Sequence, residues 1–237
     1  MIAISKADLK RYQDELAGVL RDLARQVELS CRAFNRNRKE PVPPEKPPSA
    51  REVDREGTIF KWISEGLQEG LGEQELTELL RIRSVLAFVR GVEQPVTELI
   101  ECVDKKIEQH TLFSDAAVRE ANDLFAKSRF VMAACADAIQ TGNPLLKAHV
   151  ICGGEHVLKL VDRYTKSHEQ RAAGKEGAGR ACLTFKCMLG SFQTMARHLK
   201  EIASHIPGEV ELETWACPCG AVAARPEGAT DGDGEQA

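Results

Sequence analysis

Aromatic side chains make up only 5% of this chain of 237 residues, and runs of β-branched residues are scarce. Extended sheet therefore has little to build on. No apolar stretch approaches the roughly 20 residues that a membrane-spanning helix needs. Met1 to Lys6 is too short for a secretory leader. The expected location is the cytoplasm. Charge of one sign is also missing, because a net charge of −4 leaves no broad basic surface for nucleic acid. Dense cysteine pairing is absent too. Cys31, Cys102, Cys135, Cys152, Cys182 and Cys187 stand singly on helical patterns and read as separate buried thiols. Catalytic contexts are lacking, with no Gly-x-Ser-x-Gly elbow and no glycine-rich phosphate loop, so no enzymatic activity is expected.

What is present favours helix: Ala, Leu, Glu, Lys, Arg and Gln dominate. Six helices can be read. The first spans Lys6 to Asn35, with Leu9, Tyr12, Leu16, Leu20, Leu23 and Val27 on one face. Residues 40–48 carry five prolines and form an extended connector. The second helix starts at Ser49, with Glu52 completing a capping box, and ends at Gly70 and Gly72. The third runs from Glu73 to Gln109 and contains Pro95, which should kink it. The fourth follows Ser114 and stops at Gly142-Asn143-Pro144. The fifth fades at Ala172 to Gly174, and the sixth runs from Gly179 to Pro207. Residues 209–237 read as a disordered acidic tail. Two halves, 6–110 and 111–208, follow from this division, each with three helices.

Several smaller groups call for a chemical reading. His149 and His156 are seven apart on the fifth helix, and His198 and His205 on the sixth. That spacing is too long for one metal ion, so exposed or interfacial histidines, forming at most a pH-sensitive face, are expected. Asp104 to Glu108 and Arg163 to Lys166 read as solvated helix faces. Cys217 and Cys219 bracket Pro218, and two thiolates at that spacing can grip a soft metal or pair with each other. No second cysteine pair completes a four-ligand site, so a plain tail is the simpler reading.

A long-range repeat is the most informative pattern. Glu75-Leu76-Thr77-Glu78-Leu79-Leu80 leads into Phe88 to Pro95, and Leu183 leads into Phe192 to Ala203 about a hundred residues later. With Val53-Asp54 to Ile63, Ser167 to Gly174 and Lys200-Glu201-Ile202-Ala203, these stretches resemble the PhoU family of phosphate-uptake regulators. They look closest to the PhoU-like domain of bacterial sodium/phosphate cotransporters. The resemblance covers residues 6–206. It implies an all-α, six-helix PhoU-like bundle made of two three-helix repeats.

In that family each third helix carries a Glu and an Asp four residues apart, and a second acidic pair comes from the preceding helix. Such pairs project from one helix face and hold oxygen-loving metal ions. At the matching positions this chain has Arg90 and Gln94, then Gln193 and Arg197. Asp54 and Glu155 survive, but their partners four residues on are Thr58 and Lys159. The cationic Arg90, Lys159 and Arg197 would repel a divalent ion and pair with the surviving acids instead. The resemblance thus implies a regulator without metal or cofactor. It would dock on a phosphate transporter or a sensor kinase, commonly as a homodimer, and meet the membrane only through its partner. The alternative is a thiol- or metal-responsive helical sensor that switches through Cys217 and Cys219.

Overall fold

The computed structural model describes residues 6–39, 61–65, 72–173 and 179–208. Within them the regular structure is helical, with five long helices and a short helical stretch at 61–65. They are α1 (Lys6–Arg36), α2 (Glu73–Glu108), α3 (Asp115–Thr141), α4 (Pro144–Ala173) and α5 (Gly179–Ser204). The connector at 40–48, the second helix outside 61–65, and the tail at 209–237 lie outside the described residues.

Local chemistry sets the helix ends. Ser114 Oγ accepts a hydrogen bond from the backbone N–H of Ala117 at 3.3 Å and caps α3. Gly142 ends that helix in the left-handed region at φ 64°, where glycine has no Cβ penalty. Asn143 Oδ1 then accepts from Leu145 N–H at 2.9 Å, and Pro144 occupies the first helical position. Helix α2 runs 36 residues, about 54 Å at 1.5 Å per residue, and continues as helix through buried Pro95. Pro95 has no N–H, so the carbonyl of Gly91 loses its usual helical donor.

Contacts between helices fix their directions. Arg21 pairs with Asp137 at 2.8 Å, Arg129 with Glu28 at 3.0 Å, and Asn35 exchanges amide hydrogen bonds with Asn122. Helix α3 is therefore antiparallel to α1. Gln13 meets Glu78 near the start of α1 and α2, and Lys106 meets Phe34 near their ends, so these two run parallel. Helix α5 is antiparallel to α2: His198 lies at Gly91, and a disulfide joins Cys102 to Cys187. Phe125 meets Phe192 edge-on and Phe113 meets Phe185 edge-on, which sets α3 parallel to α5. Helix α4 returns antiparallel across α3 and α5. Trp62, from the short stretch, packs edge-on against Tyr12 of α1 with ring centroids 5.4 Å apart.

One apolar cluster runs through all five helices. It buries Tyr12, Leu16, Leu20, Leu23 and Val27 of the α1 stripe, while Leu9 stays partly exposed. Burying each large apolar side chain contributes roughly 1.5–3 kcal/mol. Residues from both halves, 6–110 and 111–208, share this core.

Two sequence expectations are corrected. The cysteines do not all remain separate, because Cys102 and Cys187 are bonded across α2 and α5, with Cα atoms 6.7 Å apart. Periodicity could not show this, since it depends on the register between helices 85 residues apart in sequence. Closing a loop of that length stabilises a fold by about 2–4 kcal/mol, chiefly by restricting the unfolded chain. The stretch 104–108 is not uniformly solvated either. Lys106 is only 7% exposed and lies 4.8 Å above the Phe34 ring. Its Nζ donates to the Phe34 carbonyl at 3.0 Å and to Asn37 Oδ1 at 2.9 Å. It thereby satisfies a carbonyl at the end of α1 that has no intrahelical donor. Burial holds the Lys106 ammonium below its ordinary pKa.

Lys106→Met keeps the apolar stem and removes these donors. It should lower stability by about 1–3 kcal/mol, the cost of leaving a buried acceptor unsatisfied. Urea unfolding at neutral pH measures this, and an unchanged or raised midpoint would show that the cap contributes nothing.

Candidate functional site

The positions matched to the family's acidic sites do not gather into one cluster of ligands. Asp54 and Thr58 lie outside the described residues. Arg90 is half-buried on α2. Gln94, one turn further, is exposed and donates to Glu98 at 3.0 Å. Glu155 lies on α4 and is held by Lys200 of α5. Lys159 and Arg197 are exposed, and Gln193 is half-buried. Arg90, Lys159 and Arg197 are the cations expected to pair with the surviving acids; at Glu155 the partner is Lys200. Gly154 explains why. A Cβ there would stand 2.6 Å from Lys200 Cγ, so the glycine leaves room for the lysine stem to cross α4 beside Glu155. Among the described residues no three His, Cys, Asp or Glu side chains are grouped to hold a metal ion. Cys217 and Cys219 lie outside the described residues.

The histidines are more enclosed than expected. His149 is buried, with its ring 5.1 Å from Phe130 and perpendicular to it. His156, two turns along the same face, is half-buried. His198 and His205 lie on α5 or just past its end and both face Phe88, at 6.1 and 5.4 Å. The His198 ring fills the space where Gly91 has no side chain; a Cβ at 91 would meet it at 2.8 Å. Burial is the main cause that pushes the pKa of His149, His156 and His198 below the ordinary imidazole value. At His156 the positive charge of Lys127 adds to the effect, and Asp123 opposes it.

A further group came together that sequence reasoning missed. His168, near the end of α4, places Nε2 3.1 Å from Cys182 Sγ in the first turns of α5. Both residues are half-buried. Phe185 packs against the imidazole with ring centroids 4.9 Å apart. Arg171 reaches across to α3 and grips Glu120 with two hydrogen bonds, 2.8 and 2.6 Å, while also donating to Ser167. Glu120 holds the Arg171 pKa above its ordinary value. Burial, then the charges of Arg171 and Lys186, push the His168 pKa down. The fourteen-residue separation of His168 and Cys182 gives no motif. Only the antiparallel return of α5 along α4 brings them together.

No protein-family model matches the chain, and neither a curated protein nor a solved structure matches it. Among the described residues no helix is long and apolar enough to cross a membrane.

The histidines set a direction for pH dependence. His149, His156, His168 and His198 all have folded-state pKa values below the ordinary 6.5. The unfolded chain therefore binds protons first as pH falls. Their contribution to stability is complete above about pH 6.5 and is lost as pH drops toward the folded values. The urea midpoint should fall between about pH 7.5 and about pH 5.5, before most carboxylates titrate. A midpoint that holds or rises over that interval would contradict the enclosed, neutral imidazoles.

Proposed function

We propose that this chain is a PhoU-like regulatory protein of phosphate uptake or phosphate signalling, which acts by docking on another protein and not by catalysis. The observation that carries the reading is the layout of the helices. Helices α1 and α2 run parallel, α3 and α5 run parallel, and the pairs oppose each other as α1 with α3 and α2 with α5. Two copies of one three-helix unit related by an internal two-fold axis would pack in this way. Helix α4 would be the middle helix of the second copy. The stretch 61–65, packed on α1 through Trp62, would belong to the middle helix of the first.

In this reading the acidic slots have been refilled for protein contact. Gln94, Lys159 and Arg197 are exposed, so cationic and amide groups face outward where carboxylates would bind metal. Leu80, Leu112, Phe130, Leu145 and Leu183 are large apolar side chains that also remain exposed. The partner in this reading is a phosphate transporter's cytoplasmic face or a sensor kinase, with the protein acting as a cytoplasmic homodimer. A second reading, a thiol-responsive sensor, gains support from the Cys102–Cys187 bond. That bond makes thiol pairing part of this bundle, although the cysteines first suspected were Cys217 and Cys219.

Deleting the gene in the source organism tests the first reading. Phosphate uptake and the phosphate-starvation response should lose their dependence on external phosphate. Unchanged uptake and signalling from scarce to abundant phosphate would refute it.

A further inference from the structure

The described cysteines outside the disulfide sit in different chemical surroundings. Cys135 is fully buried, and burial drives its thiol pKa far up. Burial also raises the pKa of Cys31 and Cys152. The Cys31 thiol is directed at the Asn122 carboxamide, 3.6 Å away, which offers no base. Cys182 differs, because an imidazole nitrogen stands 3.1 Å from its sulfur. From this arrangement we infer that Cys182 and His168 form a nucleophilic pair, and that Cys182 is a modification site for small disulfides.

The geometry supports each part of the chemistry. His168 Nε2 is within reach of the thiol proton, and the packed Phe185 ring restricts how far the imidazole can turn. Charged groups from three helices surround the imidazole. Arg171 and Glu169 lie on the same helix as His168, Lys186 comes from α5, and Glu120 from α3. Glu120 is committed to Arg171, and Glu169 pairs with Lys186 at 3.2 Å. Burial first, then the charges of Arg171 and Lys186, favours the neutral imidazole, the form that can accept a proton. Cys182 stands in the opening turns of α5. Cys182 is half-buried, not sealed in the core as Cys135 is.

The step balances without any further reactant. His168 Nε2 takes the thiol proton, and Cys182 Sγ attacks one sulfur of the disulfide. The bond between the reagent's two sulfurs breaks as the bond to Cys182 forms. The departing sulfur leaves as thiolate and recovers the proton from His168. Cys182 is oxidised to a mixed disulfide, and the leaving half is reduced to a thiol. The Cys102–Cys187 bond takes no part. The inference is independent of the phosphate reading, and either can fail without the other.

Oxidised glutathione is a suitable probe on the full chain. Samples would be quenched with acid over time, and each cysteine followed by peptide mapping. Cys182 should form its mixed disulfide at least about tenfold faster than Cys31, Cys135 or Cys152. His168→Gln should slow Cys182 by about tenfold and leave Cys31 and Cys152 unchanged. Equal rates for all four thiols, or an unaltered Cys182 rate in the folded variant, would overturn the assignment. If His168→Gln fails to fold by circular dichroism, the pH profile of the unaltered chain decides. An assisted thiol should lose less than about threefold in rate from about pH 8 to about pH 7, whereas an unassisted one loses about tenfold. A tenfold loss at Cys182 would overturn the pair.

Discussion

The close antiparallel approach of α2 and α5 is the constraint on which the rest of this bundle depends. At its middle His198 occupies the place of a missing side chain at Gly91, one helical turn before Pro95. Toward one end Cys102 is bonded to Cys187. Toward the other, Arg81 donates to the His205 carbonyl at 3.5 Å. Helix α1 then lies along α2, and α3 along α5, and the space between them is filled by Phe34, Phe113, Phe125, Phe185 and Phe192 in edge-on and tilted contacts. With aromatic residues so scarce in the chain, their concentration at this junction accounts for much of its packing specificity.

Helix α4 depends on the same seam but also adds chemistry to it. Two adjacent glycines, Gly153 and Gly154, let it settle against Val131 of α3 and Lys200 of α5. Close approach there fixes the register along which Glu155 meets Lys200, Glu169 meets Lys186 and His168 meets Cys182. The structural role of the seam and the placement of a reactive pair are therefore one geometric fact. A shift of α4 by one turn, about 5.4 Å, would separate both.

The helices themselves were legible in the sequence because their ends are written in local chemistry. Ser114 and Gly142-Asn143-Pro144 each act within a few residues, so they can be read without tertiary knowledge. The α1 stripe was legible for the same reason, since its apolar period follows from a single helix. What could not be read depends on which helices are neighbours and at what register. Lys106 looked solvated because its partners, Phe34 and Asn37, belong to another helix and the turn that follows it. The Cys102–Cys187 bond and the His168–Cys182 contact join positions with no local signature. The slots matched to family acids show the reverse problem. Their residue types could be read, but Lys200 was not expected as the partner of Glu155, because glycine at 154 reveals nothing about what crosses it.

Disulfide mapping of the full chain tests the α2–α5 seam most directly, after mild oxidation of reduced, folded protein and digestion without reductant. The account predicts a linked pair of peptides containing Cys102 and Cys187, with Cys31, Cys135 and Cys152 recovered as thiols. Cys102 or Cys187 bonded to a different cysteine, or both still free while the helices remain folded, would contradict the register of α2 against α5.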